Sequence, residues 1–161
     1  MKELGAPVVW GYCGGTVAIN TASMTRADRA VVEKAARDFT RSVAGRWTVA
    51  TTTQTGGRGP TVVVRVDSTP ASDTWAATDD TLAPAGATTR VTDATVHLSR
   101  DLRGLAGTLR TVTLHELAHA VGADHSTDPR DVMFAVLDQQ WPSYTAAEAA
   151  GIRKVSGRAC G

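Results

Sequence analysis

Long apolar runs are missing from this chain of 161 residues. No stretch approaches the roughly twenty apolar residues of a membrane-spanning helix, so no bilayer span is expected. Charge of one sign is missing too. Seventeen basic residues against 16 acidic leave a formal charge of +1, with no run of either sign, which excludes the electrostatic footprint of a nucleic-acid or anionic-membrane partner. Aromatics are scarce, with two Phe and two Tyr in a chain that is 42% hydrophobic, so the core must be built from small and β-branched side chains. The opening MKELGAPVVW has too short an apolar run for a signal peptide, so export is either not encoded in it or a leader has been removed.

Cysteine is nearly absent: Cys13 and Cys160 are the two. A bond between them would close almost the whole chain, with an ideal chain-entropy gain of roughly 5 kcal/mol as a ceiling. Two separate thiols in a reducing compartment are the other reading, and spacing leaves both open. The length suits one domain, residues 1–161, that buries about 70% of its unfolded surface.

Four histidines are present, and three of them fall within eleven residues, His115 to His125, as H-E-x-x-H-x-x-G-x-x-H. On a helix, positions four apart return to one face about 40° apart and about 6 Å along the axis, so His115 and His119 can address one metal ion. Gly122 follows where a glycine can adopt the left-handed conformation that ends a helix and reverses the chain. His125 can then supply a third ligand. Three neutral imidazoles leave the fourth position of a zinc ion to water, the arrangement of a catalytic site. Glu116 lies roughly 80° to one side of the histidine face, placed to take a proton from that water without binding the metal. The reaction implied is hydrolysis of a peptide bond. With four His, four Glu and fifteen Gly in the chain, a chance match over about 150 start positions is on the order of five in a million. A helix without metal, or a zinc site that has lost activity, are the bland alternatives.

Along the chain, residues 15 to 21 alternate as a first strand. Thr25 can cap a helix whose apolar residues Ala27, Val31, Ala35, Phe39 and Val43 recur every four, ending near Gly45. Arg46 to Thr53 reads as a second strand, TGGRGP at 55 to 60 as a turn rather than a phosphate loop, and Thr61 to Asp67 as a central strand buried on both faces. From Ser68 to Thr92 the pattern weakens. Asp67, Asp73, Asp79 and Asp80 could gather around calcium, but their spacing matches no calcium loop, and solvated carboxylates are the plainer reading. Ala94 to Ser99 alternates as another strand, with His97 expected to be exposed or on the cleft side and not a ligand. Leu109 to Val121 forms the histidine helix, with Leu114, Leu117 and Val121 opposite the histidines. Arg110 falls on that apolar side, which suggests that the helix starts close to it and the arginine reaches out past the end. Thr145 to Glu148 is a capping box opening a last helix through Lys154.

The run HELAHAVGADHSTDPRDVMF resembles the metzincin zinc endopeptidases and, within them, the matrixins, where serine follows the third histidine as Ser126 follows His125. The resemblance implies zinc on His115, His119 and His125, Glu116 as general base, Gly122 at the turn, and Met133 as the methionine floor of the site. A tyrosine two residues after that methionine is found in astacins and serralysins. Here that position is Ala135, so no tyrosine ligand is expected. The segment Trp75 to Thr78, with Trp75, Ala76 and Ala77, is implied to be the cleft rim that pairs with extended substrate. Phe134, Val136, Leu137, Trp141 and Tyr144 are implied to wall a hydrophobic pocket beyond the scissile bond, or else to pack the small lower part. Short secreted matrixin-like domains also carry paired cysteines at comparable places, which favours the Cys13–Cys160 disulfide and an extracellular location. The family's second, structural zinc needs more histidines than His97 alone.

The expected fold is therefore α/β of the metzincin type. A twisted mixed sheet of about five strands is backed by two main helices, with an upper part to about residue 122 and a lower part, about 123–161, ending in a helix. The expected function is a monomeric zinc-dependent endopeptidase acting on polypeptide. A zinc-containing module that binds peptide without cleaving it, and a zinc amidase acting on a cell-wall polymer, are the competing readings. Glu116 argues against the first of these two, because a structural zinc site does not need it. No pro-segment cysteine that could cap the metal is recognisable, since Cys13 lies at the entry to the first strand.

Overall fold

A computed structural model describes residues 8–52, 60–67, 74–85, 88–136 and 140–161. In chain order the elements are β1 (Val8–Trp10), β2 (Gly14–Asn20), α1 (Arg26–Ser42), β3 (Arg46–Thr52), β4 (Thr61–Asp67), β5 (Ala76–Ala85), β6 (Thr88–Ser99), α2 (Ala106–Ala120) and α3 (Ala146–Ser156). The sheet is five strands wide, β3-β2-β4-β6-β5. β1 lies beside β6 at Thr89–Val91, in line with β4, which pairs with β6 from Asp93 to Ser99. All pairings are parallel except that of β5 with β6. The expected mixed α/β sheet is thus present.

β4 is central because its side chains allow it. Val62, Val63, Val64 and Val66 are all buried, so both faces of the strand are covered. On β6, Ala94, Val96 and Leu98 are buried on one face, as the alternation predicted. β2 and β3 pair in parallel and are joined by α1, because a parallel pair needs a crossover rather than a tight turn.

Two elements went unseen in the sequence. The stretch where the pattern weakens holds all of β5 and the first half of β6. β5 is an edge strand, so its outward side chains can be polar, and Pro84, which lacks an N–H, is tolerated there. A register shift between Thr81 and Leu82 further breaks the alternation. β1 is short, and its Trp10 is fully buried against Trp47, with its indole N–H donated to the Gly14 carbonyl.

The start of α1 follows its predicted cap: the Thr25 hydroxyl accepts from the Asp28 backbone N–H at 3.1 Å. Its apolar stripe differs from the expectation. The buried residues are Asp28, Val32, Ala35, Ala36 and Phe39, while Ala27 is exposed and Val31 half-buried. A strict spacing of four drifts about 40° per step around a helix of 3.6 residues per turn, so five such residues cannot share one face.

Arg110 corrects a second expectation. α2 begins four residues before it, and the side chain does not reach past the helix end. It pairs with Asp38 of α1 and donates Nε–H to the Pro142 carbonyl at 2.7 Å, an ion pair set between the two helices. α3 opens on the predicted capping box of Thr145 and Glu148. Residues 55–59 of the expected turn, Asp73 and Leu137 lie outside the described residues. Among those described, no helix is long and apolar enough to cross a membrane.

Cys13 and Cys160 form a disulfide across 147 residues. It ties the turn before β2 to the C-terminus. Reduction should therefore lower the urea midpoint of unfolding without changing the folded far-ultraviolet spectrum, with a loss of stability up to roughly 5 kcal/mol. Equal midpoints with and without reductant would show that the bond adds nothing to stability.

Candidate metal centre

The last turns of α2 and the segment after it build one constellation. The helix closes with two hydrogen bonds, Ala123 N–H to the Ala118 carbonyl at 3.0 Å and Gly122 N–H to the His119 carbonyl at 2.8 Å. This is the paired pattern of a Schellman turn, and it needs a left-handed residue. Gly122 provides it, with φ of 90°. The reversed chain then carries His125 back to His115 and His119.

The three rings face one another, with centroids 4.6, 4.7 and 5.2 Å apart. Their Nε2 atoms converge: His119 Nε2 lies 3.0 Å from that of His115 and 3.1 Å from that of His125. The opposite ring nitrogens are engaged elsewhere. His115 Nδ1 is 2.7 Å from the Val132 carbonyl, and His119 Nδ1 is 2.8 Å from the Ala123 carbonyl. A carbonyl oxygen has no proton to give, so in both rings Nδ1 must carry the hydrogen. In a neutral imidazole the Nε2 lone pair is then bare. Lone pairs held about 3 Å apart repel unless a cation or a proton sits between them.

At His115 and His125 burial works against the proton. His115 is 5% exposed, and burial pushes its pKa down to about 4. Burial and the neighbouring His119 also hold His125 below its ordinary value. Neutral, converging imidazoles are what a zinc ion takes. Tetrahedral bonds of about 2.0–2.1 Å would set ligand nitrogens about 3.3 Å apart, close to the observed spacing. Among the described residues these three histidines are the group of side chains that could hold a metal. Exposure is graded from buried His115 through half-buried His119 to exposed His125, so the constellation opens to solvent on one side.

Glu116, 8% exposed, lies beside this group, and its Oε2 accepts from the Thr78 hydroxyl of β5 at 2.7 Å. Thr78 ends the segment expected to form the cleft rim, but nothing in the sequence tied it to Glu116. The two are 38 positions apart, and no motif joins them. Leu114, Leu117 and Val121 are fully buried as expected, but His115 and Glu116 are nearly so as well. α2 is therefore covered on most sides.

Met133 is 3% exposed and sits in the core. Its N–H donates to Glu148 Oε1 at 2.8 Å, and its carbonyl accepts from Ser126 N–H at 2.7 Å. Ser126 also donates its hydroxyl to Asp131 Oδ2 at 2.6 Å. The segment that supplies the Val132 carbonyl is therefore fixed at both ends, by Ser126 next to His125 and by the first turn of α3.

The residues expected to meet substrate come from two segments, one at the start of β5 and one between Met133 and α3. Ala76 and Ala77 lie in edge strand β5, and Trp75, just before it, is half-exposed. Trp141 packs on the core, with its N–H and carbonyl both bonded to the Thr111 hydroxyl at 2.9 Å. Tyr144 donates its hydroxyl to the Leu114 carbonyl. Phe134 is half-buried in a bridge with Ser126, and Val136 is 62% exposed.

His97 is not an exposed residue. It is set between Asp67 at 2.7 Å and Asp79 at 3.2 Å, with Arg65 on the same Asp67 oxygen. Asp67 and Asp79 are committed to this contact, and neither they nor Asp80 joins a metal-binding group among the described residues.

The family model described as Matrixin matches residues 29–155. No curated protein matches the chain.

The turn at Gly122 supplies a test. Gly122→Ala must place a Cβ at φ of 90°, at a cost of about 1 kcal/mol or more in stability. Because the same turn delivers His125 and the carbonyl that orients His119, zinc affinity should fall by at least tenfold in competition with a chromophoric chelator. Unchanged affinity would show that the turn does not set the ligand geometry.

Proposed function

The chain belongs to the matrixin family of zinc metalloproteases, and from that premise we propose that it is an endopeptidase whose zinc is held by His115, His119 and His125 and whose general base is Glu116. The observation that carries this reading is the convergence of three Nε2 atoms, two of them in rings whose Nδ1 faces a carbonyl. When bound, zinc supplies Lewis acidity, bringing the pKa of a water to about 7 and polarising the carbonyl under attack.

The chain's own residues do the rest. The carboxylate of Glu116 takes one proton from water as its oxygen bonds to the scissile carbonyl carbon. Breaking the C–N bond then needs a proton on the departing nitrogen, and Glu116 returns the one it took. The products are a free carboxylic acid and a free amine, and Glu116 is a carboxylate again. Met133, buried beside the segment that orients His115, forms the floor.

Polypeptide substrate adds as a strand to β5, whose outer edge is free of any partner strand among the described residues. Trp75, Ala76 and Ala77 flank that edge. Trp141 and Tyr144, fixed against α2, wall the pocket that receives the residue after the cut, together with Phe134, which gives a preference for bulky apolar side chains there. The chain works as one catalytic domain, and its disulfide suits an extracellular setting.

Elemental analysis should find one zinc per chain. An overnight digest of unfolded casein should proceed without chelator and stop with it. Glu116→Ala should retain the zinc and lose at least a hundredfold in rate. Cleavage that survives this substitution removes Glu116 as base, and a zinc-loaded protein that cuts no polypeptide removes the endopeptidase reading.

A further inference from the structure

Glu116 has three side-chain torsions and, among the described residues, one side-chain hydrogen-bond partner for its carboxylate, the Thr78 hydroxyl at 2.7 Å from Oε2. The same hydroxyl lies 3.2 Å from the Glu116 backbone carbonyl. It has a single proton. The shorter contact and the negative charge both favour giving that proton to the carboxylate.

Thr78 is itself held firmly. It lies in β5, opposite Val96 of β6 in an antiparallel ladder that runs from Ala76 to Thr81 before any shift in register. Its branched Cβ restricts χ1, so the hydroxyl has little freedom to wander.

We propose that Thr78 is the positioning residue for the base: by holding Oε2 of Glu116 it leaves Oε1 as the oxygen presented to the attacking water. This rests on Glu116 being the general base, as proposed above. Among the described residues both hydrogen-bond contacts of the hydroxyl are to Glu116, so it acts through that residue. Its strand is also the edge proposed to pair with substrate, so one element sets both the line of the peptide and the direction of the base. A proton acceptor that must be found afresh at each turnover slows the chemical step without weakening binding.

The test uses the zinc-loaded full chain, a fluorogenic peptide substrate, and the variants Thr78→Val and Thr78→Ser. Valine keeps the shape and the β propensity but has no donor; serine keeps the donor. Thr78→Val should lower kcat about tenfold with KM within twofold of the parent, and with zinc content and thermal midpoint retained. Thr78→Ser should stay within about threefold of the parent in kcat. A readout apart from turnover is the crystal structure of metal-free Thr78→Val, in which the Glu116 side chain should occupy more than one rotamer.

An unchanged kcat in Thr78→Val, or equal losses in the valine and serine variants, overturns the inference and leaves the base assignment standing. A single Glu116 rotamer in the valine variant overturns it as well. Cleavage that persists in Glu116→Ala overturns the base assignment itself, and the inference with it.

Discussion

Two backbone carbonyls govern the metal centre. The Val132 and Ala123 oxygens accept from His115 and His119, and in doing so they determine which nitrogen of each ring is bare. Without them an imidazole could carry its proton on either nitrogen and turn about its Cβ–Cγ bond, and the three Nε2 atoms would have no reason to meet. The lone pairs that the constellation offers are therefore set partly by atoms outside it. Everything around the site can be read as a means of holding those two oxygens still.

Each oxygen is held by a different device. The Ala123 carbonyl belongs to the turn that closes α2, and its position follows from the positive φ of Gly122 and the pair of hydrogen bonds that define the turn. The Val132 carbonyl belongs to a segment with no regular structure, and it depends on Glu148. That buried carboxylate accepts from Met133 N–H at 2.8 Å and from Thr145 N–H at 2.7 Å. Burial raises its pKa, and the two backbone donors work against that rise. One side chain thus caps a helix and pins the loop beneath the histidines. A capping box is ordinarily a local matter of about 1 kcal/mol; here its second oxygen extends the effect to the site.

The sequence was informative wherever chemistry or packing leaves one solution. Three imidazoles on one ion require a fixed helical spacing and a glycine turn, and His115, His119, Gly122 and His125 could be read directly. β4 declared itself because a strand covered on both faces must be apolar throughout. β5 did not, because an edge strand answers to no such demand, and its Asp79, Asp80 and Pro84 resemble a loop. Arg110 misled for a different reason. A charge on an apolar face signals an end only if no counter-charge comes from elsewhere, and Asp38 comes from 72 residues away. The contact between Thr78 and Glu116 is equally non-local, so no window of sequence could contain it.

These contacts also bear on how the site tolerates motion. His115 and Glu116 are adjacent, so their side chains leave α2 about 100° apart, and each is grasped from a different direction. Thr78 on the sheet edge holds Glu116, and Val132 in the segment between α2 and α3 holds His115. A displacement of either body relative to α2 has to break one of these hydrogen bonds, and both are buried or partly buried, where a lost partner costs about 1–3 kcal/mol. His125 lies outside this grip. It is exposed, it follows the turn rather than the helix, and no carbonyl engages its second nitrogen among the described residues. A small rearrangement at the site is therefore most easily absorbed on the His125 side, while Glu116 and His115 keep their mutual orientation.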